Sequence, residues 1–364
     1  MYMSVSVPDN TMINDIRIPS QFKGFSFSEY KKLEVKNQFI ESMTKGKIEP
    51  ACYWCAELLC AGHFTDIWEC ILYYFGKHIH IGNPKITVYL EKRYTIFRNI
   101  IQQGFFINDY ELRNHGTIRK LFAEIIVVLS SSVKKQSFET IKIDRVEEFD
   151  ITQMSDRLKA PSTHFVDDIF LPKDPKELFI AVNEFAYHVS SDKKNMTSAC
   201  FWIEWIIEFD LICKNRKEPV FCERRKYNVE NKYQMDIIWL FWDVMIHYGK
   251  KMGPFIDSIM TSLITLFCIK YTTGCCKKRK YLLYFAVELL TEPVPTHVEL
   301  ISDKTMIEVV TEKIHLIYKQ IKKNEHSPNT EYLFKNLDSQ NTFAQSVKKL
   351  EMLQNMDFVP KLDG

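Results

Sequence analysis

The sequence predicts an all-α fold, a two-lobed helical bundle or array with a short irregular or β-containing linker. Three observations carry this. Apolar residues recur at three- and four-residue spacing in one segment after another. Good helix starts and stops bracket those segments. The composition is 46% hydrophobic and 13% aromatic with only 11 Gly and 13 Pro, enough to bury a large core.

Residues 1–20 read as a polar, extended leader. It has no basic stretch followed by an apolar one, so no secretory signal is expected. The N-terminal lobe is placed at 21–132. Its first clear helix runs from Pro50, suited to a first turn, to Gly62, suited to a left-handed stop. Thr65 is the expected N-cap of a second helix, with Asp66 and Glu69 favouring its positive start and Gly76 closing it. After Gly82-Asn83-Pro84, a third helix carries Ile86, Tyr89, Leu90, Phe97, Ile100 and Ile101 on one stripe until Gly104. A fourth spans Gly116 to Ser131, where Ile118, Leu121, Phe122, Ile125, Ile126 and Leu129 form the stripe and Arg119, Lys120 and Glu124 fall off it.

Residues 133–173 break the pattern with interleaved charges and with Pro161 and Pro172, giving a linker with a strand expected at Phe138 to Ile143. The second lobe, 174–326, opens with Asp174 as N-cap before Pro175. A further stripe follows Asn195, and a charged loop covers Lys214 to Asn231. Met235 to Tyr248 and Phe255 to Ile269 are apolar nearly all round, as central helices are. Tyr281 to Thr291 and Met306 to Lys322 complete the lobe. Residues 327–364 form a polar tail with an amphipathic stretch at Phe343 to Leu353.

The 48 Lys and Arg against 46 Asp and Glu leave a net charge of +2, so no global field draws the chain to nucleic acid or an anionic membrane. The most apolar runs are shorter than the roughly 20 residues a membrane span needs, so no transmembrane segment is expected. The ten cysteines sit mostly in apolar runs and are expected to be free thiols in a reducing compartment.

Cys52, Cys55, Cys60 and His63 have a spacing that suggests zinc, with Cys70, His78 and His80 nearby. A zinc knuckle needs a turn between ligand pairs, whereas these cysteines share one helix, so core thiols are favoured. Cys275 and Cys276 stand beside four cations that would favour thiolate, although such thiols are more often inert. Three basic clusters are candidates for partner or phosphate contact: Arg224, Arg225 and Lys226; Lys250 and Lys251; and Lys277, Lys278, Arg279 and Lys280. Solvated faces balanced by Glu218, Glu223 and Glu230 explain them more simply. Asp167 with Asp168, and Asp236 with Asp243, are possible acidic sites. No phosphate-binding loop, dinucleotide fingerprint, nucleophile elbow or H-E-x-x-H occurs. No catalytic residue, cofactor or metal is therefore assigned, and an enzyme is not expected.

Lys47 to Trp54, Trp68-Glu69 and His78 to Lys85 resemble an uncharacterised family of large nucleocytoplasmic DNA viruses, the phycodnavirus and mimivirus-like group. Leu121 to Leu129, Phe138 to Ile143, Leu158 to Ser162 and Trp202 to Phe209 extend the resemblance over about Ile18 to Tyr248. It supplies no functional residue. Residues 49–85 are also similar to the C-terminal helical region of clamp-loader-like AAA+ ATPases, without their nucleotide-binding module.

The viral resemblance, together with the absent catalytic motifs, the near-zero net charge and the abundant aromatics, gives the expectation of a structural or assembly protein, a minor capsid component in contact with other viral proteins such as the major capsid protein. Its expected location is the virion, or the cytoplasm or nucleus of the infected cell. The alternative is a nonstructural replication or transcription accessory factor whose basic face contacts nucleic acid.

Overall fold

The computed structural model describes residues 7–104, 108–145, 147–149, 154–301 and 303–326. The tail with its amphipathic stretch at 343–353 lies outside the described residues, as do the first six positions of the leader. Among the described residues the regular structure is helical, and the sole β-feature is an isolated bridge between Phe25 and Lys31.

Helices α1 (Lys32–Thr44), α2 (Ile48–Cys60), α3 (Phe64–Tyr74), α4 (Ile86–Gln103) and α5 (Gly116–Ser131) form the first group. The second comprises α6 (Phe179–Val189), α7 (Met196–Asn215), α8 (Ile238–Lys251), α9 (Pro254–Phe267), the single turn α10 (Cys275–Lys278) and α11 (Lys280–Thr291). Helix α12 (Lys304–Lys322) follows. The expected stripes are largely buried, including Ile86, Tyr89, Leu90, Phe97 and Ile100 on α4, but Ile101 is half-buried and Arg119, expected off the α5 stripe, is buried as well. Trp202, Trp239 and Trp242 are fully enclosed, and each such side chain contributes roughly 1.5–3 kcal/mol or more of transfer free energy.

Helix α2 ends as its glycine requires. Gly62 has φ +76, and the amides of Gly62 and His63 return to the carbonyls of Leu59 (3.0 Å) and Leu58 (2.9 Å). Asn195 caps α7 by accepting from the Ser198 amide at 2.9 Å. Other terminal signals were used differently. Thr65 is not an N-cap, because α3 begins one residue earlier and His63 precedes it without a side-chain cap. Gly76 does not stop α3. The chain continues through a π-turn, Phe75–Ile79, and a 3-10 turn, His80–Gly82, with His80 at φ +33. Gly76 serves close approach instead, since a Cβ there would lie 3.0 Å from Leu282 Cδ2 and 3.1 Å from the Tyr281 carbonyl carbon. Asp174 is not a cap either: a 3-10 turn, Lys176–Leu178, intervenes before α6, and Asp174 is buried against Arg225.

The strand expected at 138–143 is absent. That segment has no regular structure and no partner strand; its leading end straps the turns after α3 onto the molecule. Lys135 N donates to His78 O at 2.9 Å, Ser137 Oγ meets His78 Nδ1 at 2.8 Å, and the Phe138 ring stacks 4.2 Å from that of His80.

Apolar burial runs as one connected core from Ile13 to Ile321. Helix α9 packs on α4, and α11 packs on α3 and its π-turn as well as on α7 and α8. Helix α12, grouped with the second lobe by sequence order, packs on α5 and α2. Its Ile314, Tyr318 and Ile321 are buried, with the Arg119 guanidinium 3.8 Å from the Tyr318 ring centre. The leader is likewise part of the core, through Thr11, Ile13, Asp15 and Arg17.

Candidate interaction surfaces

The zinc-like spacing does not assemble. Cys52, Cys55 and Cys60 lie within α2 and are buried, and His63 Nε2 meets the Phe25 carbonyl at 2.8 Å. Burial pushes the Cys52 and Cys60 thiols up to about 12 and that of Cys55 well above its usual value. No group of three or more His, Cys, Asp or Glu side chains converges for a metal among the described residues. The thiolate reading of the vicinal pair also fails: Cys275 and Cys276 face inward, burial takes Cys276 up to about 12, and its Sγ lies 3.2 Å from the Tyr271 hydroxyl. Of the acidic sites, Asp236 accepts from that same hydroxyl at 2.9 Å, while Asp243 accepts from Tyr227 and Arg225. Asp167 pairs with His164 at the surface.

Two of the three basic clusters split between inside and outside, while Lys250 and Lys251 both face solvent. Arg225 is 6% exposed; its Nη1 and Nη2 reach the two Asp174 oxygens at 2.5 and 2.6 Å, and its Nε reaches Asp243 at 2.8 Å. Arg279 is 3% exposed, paired with Glu69 at 2.6 Å and donating to the Phe267 carbonyl at 2.5 Å. Lys280 pairs with Glu204 at 2.8 Å. These three are framework, which removes them from the proposed phosphate contact. Arg224, Lys226, Lys250, Lys251, Lys277 and Lys278 face solvent.

Lys277 and Lys278 rim a groove of about 790 Å³ between α1, α3 and the start of α11. Lys36, Tyr73, Cys70 and His78 help line it, and Lys32 and Lys36 are both held on Asp66. His78 is lowered to about 4 by burial and then by Lys77, so its ring is neutral at pH 7. The sequence reading missed Lys36 and Tyr73 because they join the groove only through tertiary packing.

A second surface was also missed. From Thr11, the last residue of a 3-10 turn, to Ile18 burial alternates: Thr11, Ile13, Asp15 and Arg17 inward, Ile16 and Ile18 outward. The polarity is inverted where Asp15 and Arg17 form an inward ion pair at 2.6 Å and the isoleucines stand 56% and 57% exposed. Burial alone would raise the Asp15 carboxyl, but hydrogen bonds from Arg17 and the His326 amide outweigh it and hold it below the usual value. The Arg17 guanidinium sits 4.8 Å from the centres of both the Phe22 and Phe27 rings. The chain then folds back, with Ser26 N on Tyr30 O at 2.8 Å and Lys32 N on Gly24 O at 2.9 Å. This presents Phe25, Tyr30 and Leu33 to solvent, at 47%, 44% and 69% exposure. Glu57 anchors the fold-back from below, accepting from the hydroxyls of Ser26 (2.8 Å) and Ser28 (2.6 Å). The sequence carries no signal for it, because the inward positions Asp15 and Arg17 are charged and the outward Ile16 and Ile18 are apolar.

Fold and surfaces together define an all-helical array carrying an apolar N-terminal face and a lysine-rimmed groove. No family model, no curated protein and no solved structure matches this chain.

Proposed function

We propose that this chain is a structural or assembly protein of a large DNA virus, a minor component of the capsid shell that acts by contact with other viral proteins. The observation that supports the reading is the apolar N-terminal face. Charged residues are directed inward at Asp15 and Arg17 while Ile16, Ile18, Phe25, Tyr30 and Leu33 are held outward on an ordered framework. Exposed apolar side chains concentrated in one stretch of chain, here 16–33, are the kind that protein contact sites use. The viral setting rests on the sequence resemblance, and the major capsid protein is the first partner to test.

The test combines location with surface chemistry. Mass spectrometry of purified virions should find the chain in fixed stoichiometry, and the Ile16→Asp/Ile18→Asp/Leu33→Asp variant should fold but fail to incorporate. Presence only in infected-cell extracts, or undiminished incorporation of the variant, overturns the proposal.

A second reading, contact with nucleic acid as a replication or transcription accessory factor, is favoured by one observation: Arg224, Lys226, Lys277 and Lys278 all face solvent. It predicts steeply salt-dependent binding that weakens on charge reversal at these four positions.

A further inference from the structure

A smaller pocket lies beside the lysine groove and shares Thr65 with it. Its volume is about 270 Å³, close to the lower end of the range for small-molecule sites, roughly 300 Å³. Its walls are aromatic. The Trp68 ring stands edge-on to that of Tyr94, with centres 5.1 Å apart, and lies 5.8 Å from that of Phe97, which in turn is 5.4 Å from that of Phe64. Trp68 is 2% exposed, and its indole N–H has no hydrogen-bond partner among the described residues. A buried donor of this kind is normally satisfied.

The mouth is cationic. Arg98 on α4 and Lys270 just beyond α9 both line the pocket and are exposed, and neither forms an ion pair among the described residues. Lys270 is fixed in place: its φ is +41, and its Nζ donates to Thr65 Oγ1 at 3.2 Å. Arg279 is already neutralised by Glu69, which leaves Asp109 as the acidic group of the lining. Residues 105–107 lie outside the described residues, and no part of the site is assigned to them.

The geometry points to a binding site for a nucleoside phosphate, either a free nucleotide or the phosphorylated end of a strand. The flat base enters the aromatic pocket and packs against its rings. The phosphate meets Arg98 and Lys270 at the mouth, and Asp109 accepts from ribose hydroxyls. Aromatic side chains take any base by its face, so this chemistry predicts weak discrimination among bases. The inference is independent of the apolar N-terminal face and survives or fails without it.

The experiment is titration of the full chain with adenosine 5′-monophosphate and, separately, with a 5′-phosphorylated oligoriboadenylate, whose first ribose keeps its 2′-hydroxyl, followed by calorimetry. Both should bind, and ribose 5-phosphate should bind about tenfold more weakly than the nucleotide because it lacks the base. Binding of the oligonucleotide well above that of the nucleotide assigns the site to strand ends; the reverse assigns it to free nucleotide. The surface variant Arg98→Glu/Lys270→Glu should keep the melting temperature and lose affinity about tenfold or more. Ile101→Trp, which fills the pocket, should abolish binding. No binding of either probe at about 1 mM, equal binding of ribose 5-phosphate, or binding untouched by both variants overturns the inference.

Discussion

His80 and Glu288 lie 208 positions apart and meet at 2.7 Å between Nδ1 and Oε2, with side chains only 3% and 9% exposed. The other ring nitrogen of His80 faces the Gln136 carbonyl at 3.1 Å. The imidazole thus ties the 3-10 turn that follows the π-turn to α11 on one side and to the strap on the other. It does so at a non-glycine residue in the left-handed region, φ +33, a conformation that costs of order 1–3 kcal/mol and persists only where surroundings enforce it. Glu288→Ala removes the carboxylate partner from a buried ring and should cost about 1.5–3 kcal/mol, read by urea unfolding. A loss below about 0.5 kcal/mol would show that the pair is incidental to stability.

The neighbours Arg224 and Arg225 should behave oppositely. Arg225→Ala strands Asp174 without its bidentate partner and should cost about 3–5 kcal/mol. Arg224→Ala touches an exposed side chain and should stay within about 0.5 kcal/mol of the parent. Thermal melts of the two single variants decide it, and equal effects would contradict the assignment of Arg225 to the framework.

These two residues also show where the sequence was legible. Helices α2, α4, α5, α7 and α12 could be read because stripes and caps are local, set by residues within one turn of each other. The fate of a charge was not, because it depends on what arrives from elsewhere: Asp174, 51 residues from Arg225, looked like a helix cap until the fold brought the two together. The same limit hid Lys36 and Tyr73 from the groove, and it made residues 138–143 look like a strand when their partner is a turn. Of the surfaces, the exposed lysines stand in the sequence as basic clusters, while residues 11–18 read there only as part of a polar, extended leader.

Acid should weaken the fold through His188. The side chain is 2% exposed, and burial followed by Lys193 lowers it to about 4 from an ordinary 6.5. The folded pKa is below the unfolded one, so the unfolded chain binds the extra proton. Its stabilising contribution is complete above pH 6.5 and is lost as pH falls toward 4, by up to about 3 kcal/mol. His188→Gln should flatten this part of the stability profile between pH 7 and 4. Parallel profiles for parent and variant would refute the assignment.

Gly76 and Gly249 offer a matched pair. Gly76→Ala drives a methyl against the α11 backbone at 3.1 Å and should destabilise by about 1–3 kcal/mol. The nearest atom to a Cβ at Gly249, inside α8, is at 3.6 Å, so Gly249→Ala should be neutral or stabilising by up to about 1 kcal/mol. Differential scanning calorimetry separates the two signs.

Thiol reactivity tests the packing of the cysteines. Nine of the ten are buried and Cys213 is half-buried, so a thiol reagent at pH 8 should label Cys213 first in the native protein. Denatured protein should take up all ten equivalents. Rapid native labelling at Cys275 or Cys276 would contradict their burial.

Helix α12 gives the molecule an order of assembly in time. The ribosome releases α1 to α5 first, yet the seat on α2 and α5 for Tyr318 and Ile321 stays unfilled until residues past 304 have been made. At about 5–20 residues per second, the stretch from Ser131 to Lys304 takes on the order of ten to thirty seconds to synthesise. Throughout that interval the nascent first helices expose an apolar slot, an address for a chaperone.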